Sequence, residues 1–136
     1  MILCRDPEEL RRLLAENARE DTSVLTGGDC KAWLDDPRNF ALVEGNDLGL
    51  FMAQGEWPGP IWTHVFYRSR GRQSFDMAVR MLNQAFDYGA TEILGKTSRR
   101  DVALLARRLG FTETGREGEN VFLRLNHKLQ PVHSMA

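Results

Sequence analysis

The order of helical and extended segments in this chain predicts a single α/β domain, in which helices flank one mixed β-sheet. Three observations support the prediction. Apolar residues recur at helical spacing in several segments, β-branched and aromatic residues cluster in short runs between them, and glycine or proline separates neighbouring segments. No internal repeat or low-complexity linker divides the 136 residues. We therefore expect one domain over residues 1–126 and a flexible C-terminal tail over 127–136, where no periodicity is visible.

The first part of the chain is expected to form two helices. Asp6 is a favourable N-cap, Pro7 suits the first helical position, and leucines then recur on one face. The first helix is therefore amphipathic and is predicted to run to about Arg19. A second, shorter helix is predicted over 29–34, and it stops before Pro37.

Strands are expected where β-branched, aromatic or other apolar residues form short runs. A three-residue strand at 2–4 opens the chain, and longer strands are predicted over 40–44, 48–53 and 61–67. The turn residues at 45–47 are typical of a tight hairpin and join the second strand to the third.

The second half predicts two further helices and three short strands. Ser74 is a favourable cap for a helix over 75–88, Thr97 or Ser98 is a favourable cap for the next, and a glycine ends each of them. The resulting order is β-α-α-β-β-β-α-β-α-β-β. A helix connects the strand at 61–67 to the one after it, so we expect these two strands to be adjacent and parallel. The three strands of this half are predicted at 92–96, 111–114 and 121–125.

Composition excludes several classes of function. The formal net charge is −1, which indicates no basic surface for nucleic acid or an anionic membrane. Cys4 and Cys30 match neither a metal-site spacing nor a disulfide framework, so we expect a reducing compartment and no metal site. We see no targeting signal, and the longest apolar runs are too short to span a bilayer. The sequence thus predicts a cytoplasmic protein whose partners are neither nucleic acid nor membrane.

The chemically informative segment is 63–78, which reads as a strand, a basic loop around Gly71 and the start of a helix. A helix that begins after a glycine loop presents unpaired N–H groups and a partial positive charge, and this geometry receives phosphate. Arg68, Arg70 and Arg72 add cationic donors beside it. The alternative is an ordinary strand-to-helix turn with a solvated basic edge, and the pattern alone does not decide between the two.

The same loop resembles the pyrophosphate loop of the GNAT superfamily of acyl-CoA-dependent acyltransferases, which is written Q/R-x-x-G-x-G/A. Arg68 and Gly71 match its first and fourth places. Residues 109–111 (Leu-Gly-Phe) are similar to the turn that joins a helix of that family to the next strand. Together with the order of the elements, the resemblance covers about residues 2–125 and implies a GNAT fold.

The resemblance also implies a function and a set of site residues. It implies that acetyl-CoA is the co-substrate and that an amine accepts the acetyl group. Strand amides of Val65 and Tyr67 would hold the pantetheine arm, and the loop at 70–74 would hold the pyrophosphate. Arg99 opens the last helix, where a cation does not suit the dipole, and it would meet a phosphate of the cofactor. The cofactor-binding residues expected on this basis are Val65, Phe66, Tyr67, Arg70, Gly71, Arg72, Gln73, Ser74 and Arg99.

Three positions depart from the family pattern. Gln73 stands where the loop has Gly or Ala, Ala106 where a Tyr often protonates the departing thiolate, and Arg99 where Asn is frequent. These departures imply a slow acyltransferase or, alternatively, a non-catalytic GNAT-fold interaction protein. In its size and its Arg-Gly-Arg loop the chain also resembles phage-encoded GNAT-like proteins labelled as head-assembly factors. A homodimer or an assembly partner is therefore a second expectation.

His64 is the candidate catalytic residue. It is the only histidine in a predicted element, and it lies on the strand that lines the acyl site in the resembled fold. A neutral imidazole there could take a proton from the attacking amine. A strand histidine is more often held by a cross-strand partner, and this is the interpretation we favour. Glu44, Asp47 and Glu56 lie on or near the hairpin, where carboxylates could hold a cationic amine substrate or act through a water. Acids at hairpin ends are more often solvated turn residues, and this is what we expect of them.

Overall fold

The computed structural model describes residues 1–17, 28–66 and 71–130. Within these ranges the elements follow one another in the predicted order. No helix in them is long and apolar enough to span a membrane. The elements are β1 (Ile2–Cys4), α1 (Pro7–Asn17), α2 (Cys30–Asp35), β2 (Phe40–Glu44), β3 (Asp47–Ala53), β4 (Gly59–Phe66), α3 (Arg72–Tyr88), β5 (Ala90–Thr97), α4 (Arg100–Leu109), β6 (Thr112–Glu117) and β7 (Asn120–Leu125).

The strands form one seven-stranded sheet in the order β1-β2-β3-β4-β5-β7-β6. β4 and β5 are parallel, and every other neighbouring pair is antiparallel. α3 connects the two parallel strands. The predicted α/β fold is therefore confirmed, with a mixed sheet in which β4 and β5 are adjacent and parallel.

Each face of the sheet carries its own apolar core. α3 and α4 pack on one face, where Phe51 and Ile93 are fully buried. α1 and α2 pack on the other face, in a core that includes Leu50 and the buried thiols of Cys4 and Cys30. Neighbouring residues of a strand point to opposite faces, so the central strands contribute to both cores in alternation. Packing on both faces therefore holds β4 and β5 in place.

α3 begins earlier than the sequence predicts, and Ser74 is not its cap. The N-cap is Gly71, and the Ser74 hydroxyl instead donates a hydrogen bond to the Gly71 carbonyl at 2.9 Å. Gly71 has φ 59° and ψ −128°, a conformation that residues with a side chain rarely adopt. Because glycine permits this turn, the helix starts at Arg72 and not at Phe75.

α4 also starts without a side-chain cap. Its N-cap is Arg99, whose N–H donates to Oγ1 of Thr97 at 3.0 Å. The expectation that Thr97 or Ser98 occupies the N-cap position is therefore wrong, although Thr97 does hold the turn before the helix. At the other end Gly110, with φ 111°, ends the helix as predicted.

The first residues of the predicted C-terminal tail lie against α3. The Asn83 side chain accepts a hydrogen bond from the Leu129 N–H at 2.8 Å and donates one to the Leu129 carbonyl at 3.1 Å. Lys128 forms an ion pair with Asp87 at 2.6 Å, and Leu129 packs against the α3/α4 core. Residues 131–136 lie outside the described ranges, so a flexible tail stays a prediction for them.

An ion pair ties the end of β2 to α3. Nε of Arg80 donates to Oε1 of Glu44 at 2.9 Å, and a second guanidinium nitrogen contacts the other carboxylate oxygen. This hydrogen bonding lowers the pKa of Glu44 from its ordinary value. Since folding lowers the pKa, the pair contributes stability above the unfolded-state pKa of about 4.3. That stability is lost as the pH falls through the lower, folded-state value.

We expect Glu44→Gln to lower the free energy of unfolding by about 0.5–1 kcal/mol at neutral pH, because both partners of the pair are partly exposed. The difference should shrink well below about pH 4, where the wild-type side chain is also neutral. Urea unfolding at the two pH values measures it. Glu117→Gln is the control, since Glu117 is exposed and forms no ion pair with another described residue. If Glu44→Gln lowers the free energy of unfolding equally in acid, its effect comes from packing and not from charge.

Candidate functional site

The parallel strands β4 and β5 part from each other halfway along their length. Their pairing ends at Trp62 and Leu94. Beyond these positions the described residues of β4 pair with β3, and those of β5 pair with β7, but not with each other. A notch therefore opens between 63–66 and 95–97. Backbone N–H and C=O groups along its two edges have no strand partner in the described part of the chain.

α3 begins beside this notch. Five residues separate the end of β4 from the start of α3, which returns along the sheet to β5, so its N-terminus lies at the edge where the two strands part. The first N–H groups of a helix have no partner within it, and no described side chain caps those of α3. Gly71, Arg72 and Gln73 are all exposed. The helix start can therefore present N–H groups and the positive end of its dipole to a ligand.

Arg72 and Gln73 are the polar side chains at this helix start. The Arg72 side chain is 82% exposed, and its nearest carboxylate, Asp76, is 3.7 Å away. Gln73 forms no hydrogen bond with another described residue. Arg70 and Tyr67, which the sequence also assigns to the cofactor, lie outside the described ranges. The exposed guanidinium group of Arg72 therefore lies beside the uncapped start of α3. The neighbouring Gln73 side chain is not held by hydrogen bonds to other described residues.

His64 lies on β4 within the notch segment and is half-buried. Its ring packs against Phe66 on the same strand, with centroids 4.5 Å apart. The residue opposite it on β3 is Leu50, whose side chain offers no polar group. Alternation along β4 places His64 and Phe66 on the face that α1 and α2 cover.

The side chains of Val65 and Phe66 are used for packing. Val65 packs against the α3/α4 core and Phe66 against the α1/α2 core. A ligand in the notch can therefore reach these residues only through their backbone. Neighbouring strand residues point their N–H and C=O groups to opposite edges, so one of the two faces the notch and the other faces β3. On the opposite edge lies Gly95, which the sequence reasoning did not single out. A Cβ added to Gly95 would meet nothing within 4 Å, and a glycine inside a strand was the available signal for a close backbone approach.

Arg99 takes part in a different surface. Its guanidinium pairs with Asp101 at 2.7 and 3.1 Å, which lowers the pKa of that carboxyl. Arg99 also lines a groove between α4 and the β6–β7 hairpin, together with Arg116, which the sequence analysis did not single out. None of the residues 63–66 and 71–74 lines that groove.

The Leu-Gly-Phe turn has the geometry that its sequence suggests. The N–H groups of Gly110 and Phe111 both donate to the Ala106 carbonyl, at 3.1 and 3.0 Å. The Ala106 methyl group is partly buried against the α3/α4 core. This position therefore supplies no side-chain proton.

The acids on and near the β2–β3 hairpin differ in their surroundings. Glu44 is paired with Arg80, and Asp47 is only 5% exposed, so the expectation that these two are solvated turn residues is wrong. Glu56 is exposed, as expected. Among the described residues there is no group of three or more His, Cys, Asp or Glu side chains that could hold a metal ion.

Solved structures share this architecture, although no protein-family model and no curated protein matches the sequence. A GNAT-family acetyltransferase from Listeria monocytogenes matches with a TM-score of 0.65 at 10% identity, over 93% of this chain and 94% of its own. An N-acetyltransferase from Staphylococcus aureus matches at 0.61 and 17%, over 92% and 97%. The yncA protein of Salmonella typhimurium, solved with its cofactor acetyl-CoA, matches at 0.58 and 15%, over 92% of each chain. The chain therefore has the GNAT fold that its sequence predicts.

Proposed function

We propose that this chain is an acyl-CoA-dependent acyltransferase, which slowly transfers an acetyl group from acetyl-CoA to an amine. The observation that carries the proposal is the notch between β4 and β5, which ends beside the uncapped start of α3. A long, thin cofactor with a pyrophosphate along its length needs such a channel next to a cluster of N–H donors. Two structures of the same fold add support, since one holds acetyl-CoA and another is an N-acetyltransferase.

The start of α3 would bind the pyrophosphate. Its N–H groups and dipole attract an anion, and Gly71 brings no side chain between the backbone and the phosphate. Arg72 is exposed and can add a charge-assisted hydrogen bond. The Ser74 hydroxyl already donates to the Gly71 carbonyl, so Ser74 would contribute through its N–H group. Gln73 is exposed and can move aside from a ligand that approaches the backbone.

The notch would bind the pantetheine arm. That arm carries amide groups, which can hydrogen-bond to a free strand edge as a further strand would. The edge at 63–66 faces the notch, where the backbone groups of alternate residues can bind these amides. Binding there would hold the thioester beside β4, and holding the reactants in place is the main source of acceleration in this proposal.

The acetyl transfer forms a bond between the amine nitrogen and the acetyl carbon and breaks the bond from that carbon to sulfur. CoA leaves as a thiolate, and the amine loses a proton. His64 is the candidate base for that proton, because its half-buried ring lies on the notch segment. Ala106 supplies no acid for the thiolate, whose thiol has a pKa of about 8.5 by analogy with cysteine. The thiolate can leave unprotonated, so transfer continues but lacks the roughly 10²–10⁴-fold contribution of a general acid.

A titration with acetyl-CoA tests the proposal. We expect the cofactor to raise the melting temperature, since a ligand at 100 times its dissociation constant stabilises the fold by about 2.7 kcal/mol. Arg72→Ala should weaken binding about fivefold, the loss of one exposed charge-assisted contact, and should make binding less sensitive to salt. Arg108→Ala is the matched control, because Arg108 is an exposed arginine of α4 that lines neither the notch nor the groove.

An unchanged melting temperature at millimolar acetyl-CoA would contradict the proposal. It would instead favour the non-catalytic interaction protein, for which the alanine at position 106 is the supporting observation. An unchanged affinity in Arg72→Ala would show that the basic loop is a solvated turn. A homodimer, an assembly partner and a cytoplasmic location stay predictions.

A further inference from the structure

A groove runs along the side of α4 that faces away from the α3/α4 core. It encloses about 410 Å³ between α4, the turn before it and the β6–β7 hairpin. On α4, Leu105, Ala106 and Leu109 pack against the core. Arg100, Leu104 and Arg107 recur at spacings of four and three residues, which places them together on the opposite face of the helix.

The floor of the groove is apolar. Leu104 is 48% exposed, and Ala103 and Val121 line the groove with it. Arginines surround this floor, with Arg99 and Arg100 at the end near the start of α4. The distance from Arg100 to Arg107 along the helix axis is about 10 Å, at about 1.5 Å per residue.

Arginine donors remain available at both ends. At the far end Arg107 and Arg116 share a single carboxylate, Glu113, and Nε of Arg116 donates to it at 2.6 Å. Two guanidinium groups on one carboxylate leave several N–H donors free for a further acceptor. At the near end Arg100 forms no ion pair with another described residue. Of the described residues that line the groove, four are arginines and one, Glu119, is acidic. Arg99 is already paired with Asp101, so Arg100 is the cation available at the near end.

We propose that this groove binds a short acidic peptide segment of a partner protein. An apolar side chain of the segment would pack on Leu104, and flanking carboxylates would pair with Arg100 at one end and with Arg107 and Arg116 at the other. Charge complementarity selects this occupant, because guanidinium groups bind carboxylates in a fixed, bidentate geometry. The exposed leucine between the charges selects a peptide over a simple anion, which would leave the apolar floor in water.

The size of the groove agrees with a short segment. Its volume is at the lower end of the range of about 300–1,000 Å³ that is typical of ligand sites. Of the residues expected from the sequence to bind acetyl-CoA, Arg99 lines this groove. The others that the structure describes belong to β4 or to the start of α3. Peptide binding should therefore be separable from cofactor binding, and the two proposals can fail independently.

A fluorescently labelled, end-blocked peptide Glu-Asp-Leu-Glu-Asp is the probe, and fluorescence anisotropy is the measurement. We expect binding that weakens with rising salt, as it does for exposed charge pairs. Arg100→Glu and Leu104→Ser should each weaken it about tenfold, or about 1.4 kcal/mol. Neither change should unfold the chain, since Leu104 is exposed and an acid suits the first turn of a helix. Arg108→Glu, on the same helix but outside the groove, should bind like the wild type.

Two further peptides separate charge from apolar contact: Gln-Asn-Leu-Gln-Asn and Glu-Asp-Ser-Glu-Asp. Each should bind more weakly than the probe. Equal binding by Arg100→Glu, or by the uncharged peptide, would overturn the proposal. A second pair of results would also overturn the proposal: inorganic phosphate or acetyl-CoA competes with the peptide, and Leu104→Ser binds the peptide with unchanged affinity. Together these two results would identify a small-anion site. Arg100→Glu should leave the thermal shift with acetyl-CoA unchanged, which distinguishes a failure here from a failure of the acyltransferase proposal.

Discussion

Replacing Gly71 with alanine is expected to weaken acetyl-CoA binding by about 100-fold or more. Gly71 is the N-cap of α3, and its φ of 59° with ψ of −128° costs a residue with a side chain about 1–3 kcal/mol. The chain would relieve this strain by moving the helix start, where the pyrophosphate is proposed to bind. The loss of two charge-assisted hydrogen bonds, at about 1.5–3 kcal/mol each, accounts for the expected factor.

The thermal shift with acetyl-CoA measures this effect, and the melting temperature without ligand reports the cost to the fold. Gly55→Ala is the matched control. A Cβ there meets nothing within 4 Å, and Gly55 does not have a positive φ. A Gly71→Ala variant that binds acetyl-CoA like the wild type would show that the cofactor does not contact the start of α3. The proposed function would then need another phosphate site.

Replacing Ile93 with alanine is expected to cost about 2–5 kcal/mol of unfolding free energy, a large part of the stability of a domain this size. Ile93 is fully buried and lies opposite Ile61 on β4 and Leu125 on β7. It is also one of the last paired positions before β4 and β5 part. Removing its side chain leaves a cavity between the two strands that shape the proposed site, and close-packed neighbours fill such a space only in part.

Urea unfolding measures the loss, and Leu104→Ala provides the comparison. Leu104 is 48% exposed, so its truncation should change stability by no more than about 0.5 kcal/mol. A loss of under about 1 kcal/mol in Ile93→Ala would mean that the core rearranges to fill the cavity. In that case the junction of β4 and β5 is less rigid than its burial indicates.

The sequence predicted well those features that depend on residues close together along the chain. The strand over residues 40–44 has the predicted bounds, and Gly89 and Gly110 end their helices where expected. Helical spacing in α3 marked the face that packs on the sheet. These signals are local, because a helix repeats every 3.6 residues, a strand every two, and a glycine adopts a positive φ that ends a helix whatever lies elsewhere in the chain. The resemblance to the GNAT superfamily rested on the same local signals taken in order.

Only the tertiary structure decided how these elements form sites. The notch exists because β4 keeps β3 as its partner, and β5 keeps β7, beyond the point where their own pairing ends. The groove exists because the pairing of Thr97 with Val121 brings the β6–β7 hairpin beside α4, and so places Arg116 in one groove with the arginines of α4. Both arrangements join residues far apart in the chain. Their energies come from strand register and packing between elements, which the spacing of residues along a sequence does not contain.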